Sequence, residues 1–198
     1  MGGGGGDLSV GGDGRTGGAS GASGASGASD AASAEGRLRE LLLATAASLE
    51  ASGAPDEALG VRRAGRGVGP FRSAESMVPV GRAWRLGVLL LGRDGSLAAT
   101  GSITRAVTPT RAQNLSGQVE RRRADRLAAS RGSFEEGEVV NFGYSAVAVD
   151  AASLEAGAGV VSVAADGTLL VRWGTTDAER RPLADYLRDR AALLLETP

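Results

Sequence analysis

The feature that most constrains the fold of this chain is a pattern that occurs twice: an apolar run, an Asp-Gly pair and a second apolar run. In the first copy, residues 86–91 precede Asp94-Gly95 and residues 97–103 follow it. Asp-Gly tolerates the positive φ that a tight hairpin turn requires. The pattern therefore predicts that residues 86–91 form one strand, and that this strand pairs antiparallel with residues 97–103.

The second copy of the pattern lies in the C-terminal third of the chain. Residues 160–164 precede Asp166-Gly167, and residues 169–173 follow it. Each hairpin carries one of the two tryptophans, Trp84 and Trp173. We expect both tryptophans to anchor the core, because the chain is poor in aromatic residues and a buried indole contributes a large apolar surface.

Apolar residues recur every three or four positions in two further segments. These segments are residues 31–52 and residues 182–196, and the spacing predicts an amphipathic helix in each. Together with the hairpins, they predict an α+β fold. We expect an antiparallel sheet of five to seven strands, built on the two Asp-Gly hairpins, with the N-terminal and C-terminal helices packed on one face.

The composition of residues 1–30 differs from that of the rest of the chain. Five glycines follow Met1, and four Gly-Ala-Ser units follow one another from residue 18 to residue 29. A segment of this kind has no apolar periodicity with which to repay the entropy of ordering. We therefore predict a disordered tail over residues 1–30 and a single α+β domain over residues 31–198.

The chain contains no lysine, histidine or cysteine, so all 22 of its basic residues are arginine. The missing side chains exclude thiol and imidazole catalysis, Ser-His-Asp relays, Schiff-base chemistry and zinc sites built on histidine or cysteine. An enzyme built from this chain would have to use carboxylates, hydroxyls, arginines and backbone amides. The sequence accordingly predicts no cofactor and no metal site, and it favours a non-enzymatic role.

A short acidic segment supplies the candidate catalytic residues for the enzymatic alternative. Ser133, Glu135 and Glu138 lie within six residues of one another, ahead of an apolar run. A hydroxyl and two carboxylates could act as a nucleophile and an acid/base pair, or the carboxylates could bind a divalent cation. The pattern favours a polar loop, because near neighbours in sequence splay to different sides.

A predicted helix over residues 118–131 carries a cluster of arginines. Its candidate anion-binding residues are Arg121, Arg122, Arg123 and Arg126. They belong to a middle segment, residues 62–131, whose net charge is +10, whereas the whole chain has a net charge of -1. The helix could bind a phosphate ligand, RNA or an acidic partner, or it could be a solvated surface helix. No aromatic residues are interleaved with the arginines, so the pattern does not favour nucleic acid.

Four short segments between residues 55 and 195 carry a resemblance to a known family. They are residues 82–90, residues 133–139, residues 171–173 and the Pro-Leu-x-x-Tyr-Leu-x-x-Arg pattern of residues 182–190. In these segments the chain resembles a family of short, uncharacterised proteins of high-GC actinobacteria, whose members are often labelled glutaminase. The label implies hydrolysis of L-glutamine to L-glutamate and ammonia. The Ser-x-x-Lys and Cys/His groups of familiar glutaminases are absent, so the resemblance transfers no catalytic residue.

Three functional hypotheses follow from the sequence. The first is a small cytoplasmic protein with a non-enzymatic binding or assembly role, the second a glutaminase-type amidohydrolase, and the third an anion-binding or nucleic-acid-binding module. We expect a cytoplasmic location, because the N-terminus lacks the features of a signal peptide and no apolar run reaches the roughly 20 residues that span a bilayer. A homo-oligomer or a protein partner is compatible with the sequence, whereas nucleic acid and membrane are not expected partners.

Overall fold

The computed structural model of the chain describes residues 22–65, 74–109, 116–176 and 178–196. Within these residues the chain forms four helices and ten strands, which confirms the predicted α+β class. In chain order they are α1 (Ala22–Ala51), β1 (Glu57–Arg63), β2 (Ser76–Leu86), β3 (Leu89–Leu91), β4 (Leu97–Ala99), β5 (Ser102–Arg105), α2 (Gly117–Ser130), β6 (Val139–Phe142), β7 (Ser145–Ala146), α3 (Ala151–Ala156), β8 (Val161–Val163), β9 (Leu169–Arg172), β10 (Arg180–Pro182) and α4 (Leu183–Glu196).

The strands form two sheets rather than one antiparallel sheet. The larger sheet has the order β5-β6-β1-β2-β3-β4-β7, and the smaller has the order β10-β9-β8. Within the larger sheet β1 and β6 run parallel, whereas the other neighbours pair antiparallel. A parallel pair needs a crossover connection, and here the chain from β2 to α2 supplies it.

Both Asp-Gly pairs lie in turns between paired strands. Asp94-Gly95 lies between β3 and β4, and Asp166-Gly167 lies between β8 and β9, and both strand pairs are antiparallel. The glycines have φ of +77° and +81°. Each aspartate carboxylate accepts a hydrogen bond from the backbone N–H two residues further on. Both residues of the pair therefore shape the turn, the glycine through its φ and the aspartate through this hydrogen bond.

The first apolar run contains two strands, not the one strand predicted. Leu86 at the end of β2 pairs with Leu89 at the start of β3, so the chain reverses at Gly87 and Val88. Gly87 has φ +63°, a conformation that glycine adopts without steric cost. The Val88 N–H donates a 2.8 Å hydrogen bond to the hydroxyl of Tyr186 in α4, which holds the turn in place.

The predicted pairing of residues 97–103 with the first run holds only for β4. The later residues of that segment belong to β5, which pairs with β6, whereas β4 pairs with β3 and β7. Gly101 lies between the two strands, and a Cβ at this position would overlap the backbone of Gly143. The close approach of these two backbones separates β4 from β5, which local sequence pattern does not reveal.

The larger core lies between α1, α4 and the leucine-rich part of β2, β3 and β4. Leu38 and Leu42 of α1 and Leu183 and Leu187 of α4 are almost fully buried in it. The N-terminal and C-terminal helices therefore share one core, which α3 and the smaller sheet complete.

The two tryptophans differ in burial. Trp84 is fully buried in the larger core, and its indole N–H donates a 3.0 Å hydrogen bond to the Ala54 carbonyl. Trp173 is 47% exposed, so the prediction that it anchors the core is wrong. It directly follows the last residue of β9.

A smaller core lies beneath α2, whose bounds agree closely with the predicted helix. Ala128 and Ala129 of α2 pack against Met77, Val140 and other buried residues of β1, β2 and β6. The packing is close because both helix residues are small. Gly132 follows the helix, and a Cβ there would overlap the Met77 carbonyl, which fixes the end of α2 against β2.

The first helix begins earlier than the sequence predicts. α1 starts at Ala22 instead of residue 31, inside the predicted tail. Residues 22–30 contain two glycines and three serines besides three alanines, so intrinsic helix propensity does not account for this extension. Residues 1–21 of the predicted tail lie outside the described residues. In the described part of the chain, no helix combines the length and apolar character needed to cross a bilayer.

Candidate anion-binding cleft

A cleft of about 360 Å³ opens between α2 and strands at the β5 edge of the larger sheet. Its lining side chains combine three arginines, two carboxylates and three less polar residues. They are Arg105, Arg122, Arg126, Glu57, Asp125, Ile103, Thr104 and Val139. The cleft thus brings together residues from β1, β5, α2 and β6, which are far apart in the sequence.

Sheet register places three of these residues in one row. Arg105 of β5 pairs with Val139 of β6. The parallel pairing of β1 with β6, in which Ala58 aligns with Val140, places Glu57 beside Val139. Neighbouring strands are about 4.8 Å apart, so the Cα atoms of Glu57 and Arg105 are about 10 Å apart. A carboxylate and a guanidinium therefore flank one apolar side chain on the same side of the sheet.

The Glu57 carboxylate is positioned by a buried amide. Asn141 of β6 is fully buried, and its Nδ2 donates a 2.7 Å hydrogen bond to Glu57 Oε2. Its Oδ1 accepts a 2.5 Å hydrogen bond from Arg85 Nη1. The amide is satisfied at both ends, as a buried polar group requires. Among the described residues, Glu57 forms no ion pair with a guanidinium.

Arg122 and Arg126 are four residues apart, so they lie on the same face of α2. Both are exposed, and within the described ranges neither forms a hydrogen bond or ion pair with the protein. Asp125 also lines the cleft, but its carboxylate is paired with Arg62 of β1. Arg105 donates one 3.3 Å hydrogen bond to the Gly137 carbonyl. The cationic groups of the cleft are therefore poorly neutralised by the protein itself.

The structure divides the four arginines predicted for anion binding. Arg122 and Arg126 line the cleft, whereas Arg121 and Arg123 do not. The lining residues of α2 are Arg122, Asp125 and Arg126, whose i, i+3 and i+4 spacing places them on one side of the helix, and Arg121 and Arg123 lie to either side of that set. Arg105 was not predicted, because no local pattern connects it with the helix. The signal that unites it with Glu57 is the strand register, which becomes evident only in the folded sheet.

Ser133, Glu135 and Glu138 lie in the loop between α2 and β6 and do not line the cleft. The Glu138 carboxylate forms an ion pair with Arg82 and accepts a 3.1 Å hydrogen bond from the Glu135 backbone N–H. Ser133 and Glu135 are exposed. Over the residues that the structure describes, no hydrogen bond joins the Ser133 hydroxyl to either carboxylate, and no cluster of three metal-ligating side chains occurs. The contacts of Glu138 stabilise a turn.

A separate ion-pair network crosses the molecule beside this loop. Asp56 accepts hydrogen bonds from Arg82 at 2.6 Å and Arg93 at 3.1 Å. Arg82 also contacts Glu138, and Arg93 also contacts Glu50 of α1. Burial raises the pKa of the Asp56 carboxyl, but the hydrogen bonds and charges of the two arginines outweigh it and hold that pKa below its ordinary value of 3.8. These arginines are committed to carboxylates of the protein.

No protein-family model, curated protein or solved structure matches this chain. The chemistry of the cleft has to be inferred from its own side chains. Three guanidinium groups beside one concave surface indicate affinity for an anion.

Proposed function

We propose that this protein is a cytoplasmic, non-enzymatic binding protein whose cleft binds a small anion that carries a phosphate or carboxylate group. One observation carries the proposal: Arg105, Arg122 and Arg126 line one cleft, and the two on α2 have no protein partner in the described residues. The planar guanidinium matches phosphate and carboxylate oxygens through paired N–H donors. The cytoplasmic location rests on the sequence expectation alone.

The size and lining of the cleft favour a small ligand over nucleic acid. Its volume of about 360 Å³ falls within the range of small-molecule sites. Its lining contains no aromatic side chain on which a base could stack, whereas single-strand nucleic-acid surfaces usually have them. A compact phosphate ester or carboxylate therefore fits the cleft better than a polymer.

Isothermal titration calorimetry with inorganic pyrophosphate tests the proposal. We expect binding that weakens as sodium chloride is raised, because salt screens the attraction between exposed charges. Arg122→Gln and Arg126→Gln should each weaken binding by about tenfold, the equivalent of one charge-assisted hydrogen bond.

Arg121→Gln is the matched control for these variants. It removes the same charge from the same helix, but its side chain does not line the cleft. We expect its affinity for pyrophosphate to stay within about twofold of the unmodified protein, since only long-range charge is lost. Equal losses in all three variants would show a diffuse charge effect and would contradict the cleft.

The amidohydrolase alternative stays a prediction of the family resemblance. No contact of Ser133, Glu135 or Glu138 in the described structure favours it. Ammonia release from L-glutamine, measured without and with divalent metal, tests it directly. We expect no release above a heat-inactivated control.

A further inference from the structure

The cleft contains a carboxylate that anion binding alone does not explain. Glu57 lines the same surface as the three arginines, and a carboxylate there weakens the attraction for an anion. It does not serve to neutralise the arginines through an ion pair, because Asn141 is its hydrogen-bond donor in the described structure. Its position therefore calls for a role toward the ligand.

The hydrogen bond from Asn141 engages only one of the two carboxylate oxygens of Glu57. Asn141 occupies Oε2, and Oε1 has no hydrogen-bond partner among the described residues. Arg85 contacts the amide of Asn141 rather than the carboxylate, so the charge of Glu57 is oriented without being paired. An oriented, unpaired carboxylate in a cleft is suited to accept hydrogen bonds from an ammonium group.

We infer that the cleft binds a zwitterion, with a primary ammonium group against Glu57 and a phosphate or carboxylate group against Arg105, Arg122 and Arg126. This inference rests on the proposed anion-binding function and names its ligand class. Val139 lies between Glu57 and Arg105 in their row, and Ile103, which is 50% exposed, also lines the cleft. A short aliphatic linker between the two charged groups of the ligand would lie over these apolar side chains.

Two probes that differ only in the ammonium group test the inference. O-phosphoethanolamine carries a phosphate and an ammonium on a two-carbon linker, and ethyl phosphate lacks the ammonium. Calorimetry at pH 7.5 should show that the unmodified protein binds O-phosphoethanolamine about tenfold more tightly, since hydrogen bonds between charged groups are the strong ones.

Glu57→Gln provides the decisive variant, because glutamine keeps an oxygen that can accept the Asn141 hydrogen bond. We expect it to weaken O-phosphoethanolamine binding and to strengthen ethyl phosphate binding, so that the tenfold preference falls to about one. Glu136→Gln is the control, since it neutralises an exposed carboxylate that does not line the cleft. It should keep the preference.

The outcomes separate the inference from the proposed function. Equal affinity for both probes in the unmodified protein overturns the zwitterion and leaves anion binding intact. A preference that persists in Glu57→Gln also overturns it, because another group would then recognise the ammonium. Failure of both probes and of pyrophosphate to bind removes the anion-binding function itself. The unmodified protein alone decides the first outcome, so the test does not depend on how any variant folds.

Discussion

Two groups of arginine side chains in this protein have opposite surroundings. Arg82 and Arg93 each contact two carboxylates, and Asp56 is common to both. Arg122 and Arg126 contact no carboxylate among the residues described. All four are exposed. Exposure therefore does not distinguish a structural arginine from one that is suited to bind a ligand, whereas the presence of a partner does.

The paired group connects the ends of elements that lie far apart in the sequence. Arg93 lies in the turn between β3 and β4 and reaches Glu50 of α1, while its guanidinium stacks 5.4 Å from the Trp84 ring of the larger core. Arg82 links Asp56, just before β1, to Glu138 beside the smaller core. The unpaired group has no such task, so its charge can be used on a ligand.

The largest predicted effect on stability belongs to Asp56→Ala. The side chain of Asp56 is only 13% exposed and accepts hydrogen bonds from two guanidinium groups. Its removal should lower the free energy of unfolding by about 2 kcal/mol, as expected for lost hydrogen bonds to charged groups. Urea denaturation at pH 7 measures this change.

Asp189→Ala is the comparison for that variant. Among the described residues, Asp189 is paired with Arg181 alone, and its side chain is 49% exposed. An exposed pair of this kind contributes about 0–1 kcal/mol, so we expect a loss below about 0.5 kcal/mol. Similar losses in the two variants would mean that a carboxylate shared by two arginines contributes no more to stability than an exposed carboxylate with one partner.

The contribution of Asp56 should also depend on pH. Its folded-state pKa lies below the ordinary value of 3.8. The stabilisation is therefore fully present above that ordinary value and is lost as the pH falls through the lower, folded-state pKa. We expect the difference in unfolding free energy between the unmodified protein and Asp56→Asn to be constant above about pH 5 and to shrink below 3.8. Urea denaturation at several pH values between about 2 and 6 measures this difference. A difference that stays constant over that range would contradict the prediction.

Local sequence pattern was sufficient for the existence of three of the four described helices and for the position of the Asp-Gly turns, but not for the start of α1 or for α3. Apolar spacing identified α1, α2 and α4, because side chains three and four residues apart lie on one helix face. It did not divide residues 86–91 at Gly87, because a continuous apolar run looks the same whether it forms one strand or two. The reversal depends on the conformation of one glycine and on Tyr186, which is 98 residues away from Val88.

The sequence predicted only those residues of the cleft that are close together along the chain. Arg122 and Arg126 belong to a local cluster that the sequence displays directly. Glu57 and Asn141, the residue that positions its carboxylate, show no such local signal. They are 84 residues apart and meet through the parallel pairing of β1 with β6. Parallel pairing leaves no short-range signature comparable to a hairpin turn. Residues that meet across such a pair require the folded sheet to be recognised.

A smaller effect is expected from Arg93→Gln. The variant removes an ion pair with Glu50, a hydrogen bond to Asp56 and the stacking on Trp84. Asp56 keeps its contacts with Arg82 and the pair with Glu50 is exposed, so the loss of unfolding free energy should be smaller than that of Asp56→Ala. Urea denaturation measures it. Arg188→Gln, which removes an exposed i,i+3 pair with Asp185, should cost less than about 0.5 kcal/mol.

The smallest effect on stability should come from the arginines of the cleft. Arg122 and Arg126 are like charges at i,i+4 spacing, which destabilise a helix by about 0.2–0.5 kcal/mol. The double variant Arg122→Gln/Arg126→Gln should therefore unfold at the same urea concentration as the unmodified protein, or at a slightly higher one, while losing pyrophosphate binding. A loss of stability comparable to that of Asp56→Ala would show that these arginines hold the fold together. The separation into structural and ligand-binding arginines would then fail. A dedicated anion site requires unchanged stability together with lost binding. Arginines that have no partner in the protein form their charge-assisted hydrogen bonds only when a ligand supplies the acceptor.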